Sequence, residues 1–230
     1  MNTNRVHRVL HKGLPRSGRF AAGLAIMALV GAFGAGSGIA GAQDPSTCSV
    51  SAATVQPFLP WNDQSSYFLA PGGSFEQKLK DWHLSGAVKI AKNSNETFYV
   101  NDPSDSNSLA FGPNSSAQTP NICVSIHSPS IRLFAMNSGD PSSTMQVTVN
   151  YTDQNGKAQT AQVGSISASS TWAPTDSMLF LNNIAPVVGG QGQTSVSFTF
   201  RVIGAGNWQI DDFYVDPIKS QEGNTFPCGC

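Results

Sequence analysis

The stretch Asn207–Pro217, NWQIDDFYVDP, decides the reading of this chain. Apolar residues flank two adjacent carboxylates, Asp211 and Asp212. On a strand, side chains alternate between faces. Trp208, Ile210 and Asp212 therefore share one side, and Asp211, Phe213 and Val215 share the other. The apolar set changes phase across the acidic pair. Either a bulge re-aims the chain there, or the strand is central and packed on both faces. In both cases a carboxylate lies among packed atoms and needs hydrogen-bond donors, a cation or a raised pKa.

The same short-strand grammar extends backwards. TSVSFTFRV places Val196, Phe198, Phe200 and Val202 on one face, and TMQVTVNY does so with Met145, Val147, Val149 and Tyr151. Asp153-Gln-Asn-Gly156 between TMQVTVNY and KAQTAQVGSI is a hairpin turn. CVSI (123–126) and IRLFAM (131–136) suit buried strands, and TWAPTDSMLFL reads as an irregular strand interrupted by Pro174. YFLA, the Pro71-Gly72-Gly73 turn and SFE read as strand, turn and pairing segment, and WHLSGAVKIA as strand around a glycine. No stretch after Lys92 carries a convincing helical period. The pattern is all-β, an antiparallel sandwich of jelly-roll type over residues 65–217. An extended N-terminal segment (43–64) precedes it and a tail (218–230) follows.

Residues 1–42 have the make-up of a secretory signal peptide: a basic start, an apolar run over 20–36, and Ala40-Gly41-Ala42 before Gln43. The alternative is an uncleaved anchor, for which the Gly-rich run is marginal. Five of the 13 Lys and Arg, and none of the 14 Asp and Glu, lie in residues 1–42. From Gln43 onward 8 basic and 14 acidic residues remain, net −6. That acidic balance excludes nucleic acid, whose affinity depends on neutralising phosphates. Export suits the cysteines. Of three possible pairings we favour Cys48–Cys123, leaving Cys228 and Cys230 in the tail TFPCGC.

Glu76 stands in a similar position to the aspartate pair, just after Gly72-Gly73. Glu76 with Asp211 or Asp212 and a main-chain carbonyl would suit calcium, a hard cation taking six to eight oxygens. The bland reading is acids that accept main-chain N–H bonds or pair with Lys78, Lys80 or Arg201. Among aromatics, Trp61 and Trp172 lie in irregular Pro-containing segments and are candidate platforms for a sugar ring; Trp82 and Trp208 read as core. His83 and His127 stand alone, no GxSxG occurs, and Gly189-Gly190-Gln191-Gly192 lacks a strand-to-helix setting.

Together, the early GGSFE…W (Gly72 to Trp82) and the terminal WxIDDxYVD (Trp208 to Asp216) resemble the galactose-binding-like jelly rolls. That group includes many carbohydrate-binding modules. There an NGxFE…W element lies near a closing IDDV strand, and many members hold a structural calcium between the two. The chain also resembles exported actinobacterial proteins. The resemblance implies calcium at Glu76 and one of Asp211 and Asp212, although Pro71 stands where the group has Asn. It carries over no sugar-contacting residue. The function so implied is an extracellular, non-catalytic domain that binds a glycan or cell-envelope component. A cell-surface protein-interaction domain is the alternative, and a glycoside hydrolase comes third, since adjacent aspartates are poor geometry for that chemistry.

Overall fold

Alternation along the chain builds two sheets. The computed structural model describes residues 53–181, 183–184 and 193–216. The chain divides into two units, Met1–Ala42 and Gln43–Cys230, and every described residue belongs to the second. The expected signal segment, Cys48 and the Cys-Gly-Cys tail lie outside the described residues.

One sheet is antiparallel and six-stranded. Its order is β2 (His83–Ser85), β5 (Ser116–Gln118), β12 (Gln193–Ile203), β8 (Thr144–Thr152) and β9 (Ala158–Ile166), with β6 (Ile122–Ser125) also paired to β12. Met145, Val147 and Val149 of β8 and Val196, Phe198, Phe200 and Val202 of β12 are all buried, as their two-residue period requires. The β8–β9 hairpin closes where expected. Gly156 takes φ 76°, and Asp153 Oδ1 accepts the N–H groups of Asn155 and Lys157, both at 2.9 Å.

The other sheet is also antiparallel. It runs β10 (Ala173–Pro174), β7 (Ser130–Asn137), β13 (Trp208–Asp216), β4 (Asn107–Phe111) and β3 (Val88–Lys92). β1 (Phe68–Leu69) adds to β13, and β11 (Met178–Leu179) to β7. The sheets share one hydrophobic core, the jelly-roll sandwich expected from the sequence. Phe213 of β13 meets Phe198 and Phe200 of β12 edge-on, with ring centroids at 5.6 and 5.2 Å. Such pairs add about 1 kcal/mol each beyond area burial.

A second, smaller cluster lies on the other face of the β13 sheet. Phe58, Tyr67, Phe134 and Tyr214 are fully buried there, with Trp61 and Trp172 packed against them. Their cover is the N-terminal segment. Its described part, 53–64, was expected to run extended; it makes a 3-10 turn at Leu59–Trp61 and a bridge from Val55 to Tyr67. Arg132 fixes this cover. Its Nη1 lies 2.6 Å from Asp63 Oδ2, and its guanidinium sits 4.4 Å from the Phe58 ring centroid. Ser74–Glu76, expected to pair as a strand, turns instead. Phe75 adopts φ 57°, unusual for a bulky residue, and its ring is buried 5.3 Å from that of Trp82.

Candidate functional site

The acidic doublet sits on a bulge in a central strand. Asp211 pairs with Phe134 and Tyr214 with Arg132, so β13 carries one residue more than β7 over this span. Asp212 absorbs the extra step with φ 47°, a conformation Asp tolerates better than most side chains. Phe213 and Val215 thereby return to the core side, and Tyr214 to the opposite side. The phase change in the sequence is this bulge.

The opening and closing ribbons lie side by side, as the sequence reading required. Phe68 pairs with Val215 and Leu69 with Tyr214. Ala70 N–H donates to Phe213 O at 2.9 Å, and Phe213 N–H to Gly73 O at 3.0 Å. Gly73 is needed there, because a Cβ would fall 2.8 Å from Phe213 O.

Glu76, Asp211 and Asp212 are joined by two acids the sequence did not single out, Glu96 and Asp105, both on the connection between β3 and β4. Glu96 is fully buried. Its carboxylate accepts the N–H groups of Phe98 and Val100, and its own N–H donates to Asp211 Oδ2 at 2.9 Å. Glu76 accepts from Ser106 N at 2.8 Å, Asn107 N at 2.6 Å and Asn107 Nδ2 at 2.7 Å. The acids thus fasten a loop, 94–107, across the sheet. The lysines offered by the bland reading play no part: the ion pair among the described residues is Arg132–Asp63.

Charge is poorly balanced in this cluster. Burial pushes Asp211 up to about 9, and the neighbouring charges of Asp212 and Glu96 act in the same direction. Asp212 rises to about 8, first from burial and then from Glu96, Asp105 and Glu76, partly offset by the Asn101 backbone N–H. Asp105 is raised by burial and by Glu76 and Asp102. Asp212 is only 2 % exposed, yet its Oδ1 has no hydrogen-bond partner, and neither has the buried Tyr214 hydroxyl. Such atoms are expensive to leave unmade. Among the described residues no three His, Cys, Asp or Glu side chains are arranged to hold a metal ion between them.

Beside this cluster, on the same outer face, lie the two tryptophans named from the sequence. Trp61 packs edge-on against Phe98 at 4.9 Å and Phe134 at 5.4 Å. Phe98 is 44 % exposed, and Trp61 and Trp172 are half-buried. Trp82 and Trp208 are core, as expected, and His83 and His127 are exposed. Cys123 on β6 is disulfide-bonded; the other three cysteines all lie outside the described residues.

A shallow groove of about 390 Å³ continues over β3, β4 and β13. Its lining includes Lys89, Ala110, Pro113, Ser138, Asn207 and Gln209, and no acid. Gln209 was missed in the sequence because it reads only as the polar step of an apolar strand. Its Oε1 accepts from Ser94 Oγ at 2.5 Å and Ser108 Oγ at 2.8 Å.

No family model and no curated protein matches the chain. Solved structures similar to it include carbohydrate-binding modules, the class the sequence resemblance named. The CBM22-1 and GH10 modules of Clostridium thermocellum endo-1,4-beta-D-xylanase 10B, complexed with xylohexaose, match with TM-score 0.47 and 11 % identity, covering 63 % of this chain and 28 % of that one. The CBM22-1 xylan-binding domain from Paenibacillus barcinonensis matches with TM-score 0.44 and 16 % identity, over 64 % of this chain and 93 % of that one. A family 11 carbohydrate-binding module of a Clostridium thermocellum cellulosomal cellulase matches with TM-score 0.36 and 12 % identity, over 66 % and 94 %. None of these values carries a ligand or an activity to this chain, whose fold is assigned from its own two sheets.

Proposed function

We propose that residues 43–230 form an exported, non-catalytic domain that binds a glycan, such as a cell-envelope polysaccharide, on the outer face of the β13 sheet. The observation that carries this reading is the group of aromatics on that face: Phe98, 44 % exposed and packed on Trp61, with the partly buried Trp61 and Trp172 against the same cluster. An aromatic face matches the apolar face of a pyranose, and rings braced by Phe134 lose little freedom on binding. The adjoining groove supplies polar side chains and no carboxylate. The clustered acids hold backbone N–H groups instead, which favours gripping a sugar over hydrolysing one.

Calcium is the counter-charge we propose for the acid cluster, held through Asp212 rather than by three converging carboxylates. Asp212 would hold the ion through its otherwise unpartnered Oδ1, with further oxygens needed to fill a calcium shell. Glu76 and Asp211 keep the pocket's shape through the backbone groups they already hold. Calcium supplies the positive charge that the buried carboxylates otherwise meet by keeping protons.

The test is retention by polysaccharides in affinity gels, with Trp61→Ala and Trp172→Ala alongside the natural protein. Retardation by at least one glycan, weakened in both variants, is expected. Silence across microbial, plant and animal glycans, with a protein recovered from envelope extracts instead, would favour the interaction-domain alternative. For calcium, the melting temperature should rise with the ion and fall with chelator.

A further inference from the structure

We infer that the groove over β3, β4 and β13 selects a carboxylated sugar, with Lys89 and Gln209 as its specificity-determining residues. The inference rests on the glycan-binding reading and adds the ligand's charge to it.

Lys89 pairs with Ala110, and Ala110 with Gln209, which in turn pairs with Met136. The four residues form one cross-strand row. Leu109 and Phe111 of β4 go to the core, so the row lies on the outer face. Strands are spaced by about 4.8 Å, so Lys89 and Gln209 stand about 10 Å apart at Cα. Ala110 between them is too small to fill the space. Two long side chains therefore flank a methyl group along one groove.

Gln209 is built as a donor. Its Oε1 already accepts two hydroxyls, from Ser94 and Ser108. With Oε1 so engaged, Nε2 and its two N–H donors have no protein partner. Lys89 is exposed and makes no ion pair among the described residues. A point charge and an amide donor on one face of one groove can together receive an anion. The lining holds Lys89 and no competing acid, so the groove is locally positive on a domain whose balance is otherwise acidic, and it takes a single carboxylate rather than a run of phosphates. A neutral sugar would use the lysine only as a hydrogen-bond donor and leave its charge without a counter-ion. The row from Met136 to Lys89 spans about 14 Å, room for roughly three pyranose units with the charged one over Ala110.

Carboxylate suits the pair better than sulfate or phosphate. Its two oxygens in one plane can take Gln209 Nε2 on one side and Lys89 Nζ on the other. A tetrahedral anion carries further oxygens that Ala110 and Pro113 beneath it do not bind, so they add nothing to affinity.

The test uses affinity electrophoresis and calorimetry on the full exported chain. The probes are polygalacturonate, its methyl ester, alginate, hyaluronate, neutral xylan and dextran sulfate. Binding to at least one uronate is expected. Where that uronate is polygalacturonate, esterification should weaken it ten-fold or more; otherwise carbodiimide amidation of the bound uronate supplies the neutral comparison. Lys89→Met should lower uronate affinity at least ten-fold, and Lys89→Arg should retain most of it. Gln209→Glu should abolish uronate binding, with circular dichroism and melting temperature reporting whether the variant folds. Equal affinity for charged and neutralised polymer, or an unchanged Lys89→Met, overturns the inference. So does binding confined to dextran sulfate. Binding to xylan alone removes this inference and leaves the glycan reading standing, whereas silence to every polymer removes both.

Discussion

Replacing Asp212 with Asn isolates the charge of the acid cluster from its shape. The variant keeps the side-chain volume, and Asn tolerates the φ of 47° at this position. Burial, with the charges of Glu96 and Asp105 beside it, pushes Asp212 up to about 8 from the ordinary 3.8. Its folded pKa is raised, so the associated stability is fully present below the unfolded value. It is lost as pH climbs from about 4 toward the folded value near 8. The slope is about 1.4 kcal/mol per pH unit for one retained proton. At pH 7 that amounts to roughly 4 kcal/mol as an upper bound for an isolated group. Asp211 shares the strain, so about 2 kcal/mol is the reasonable expectation for Asp212 alone. Urea unfolding in chelator at pH 4.5 and pH 7.5 measures it. The natural protein should lose stability between the two, and Asp212→Asn should lose less and be the more stable at pH 7.5. Calcium should stabilise the natural protein at pH 7.5 and leave the variant unmoved. A variant less stable than the natural protein at pH 7.5 in chelator, or two parallel pH curves, would refute the assignment of unbalanced charge to this residue.

Other consequences follow from particular contacts. Arg132→Ala removes both the Asp63 ion pair and the stack over Phe58, so about 2–4 kcal/mol should be lost and amides of residues 55–67 should exchange faster. Gly206→Ala places a Cβ 2.4 Å from both Ser143 Oγ and Trp208 Nε1, which are hydrogen-bonded at 3.0 Å; chemical denaturation should show a loss of at least about 2 kcal/mol. Peptide mapping without reductant should recover Cys48 joined to Cys123, and Cys48→Ser should cost about 3–5 kcal/mol; Cys123 joined to Cys228 or Cys230 would contradict that pairing.

The sheets were legible because their signals are local. Met145, Val147 and Val149 follow a two-residue period, and Asn155-Gly156 marks the hairpin between β8 and β9. The doublet at Asp211 and Asp212 was legible as a fault in the same period, and the bulge explains it. The other members of the cluster left no such trace. Glu96 and Asp105 sit in NSNETFYVNDPSDSNS, a polar loop with no period to break, and only the folded sheet brings them to β13. The turn at Phe75 escaped for a related reason: a buried ring beside Trp82 overrides the backbone preference of a phenylalanine. Phe58 and Arg132 likewise reveal their stack only after the N-terminal segment folds over β7.

A ligand bound as proposed meets the outer face of the β13 sheet and leaves the β8–β9 sheet bare. Amide hydrogen exchange with and without a bound polysaccharide reads that face directly. Protection should gather in residues 94–100, around Met136–Ser138 and in Asn207–Gln209, with β8 and β9 unchanged. Protection confined to β8 and β9, on the far sheet, would contradict the account.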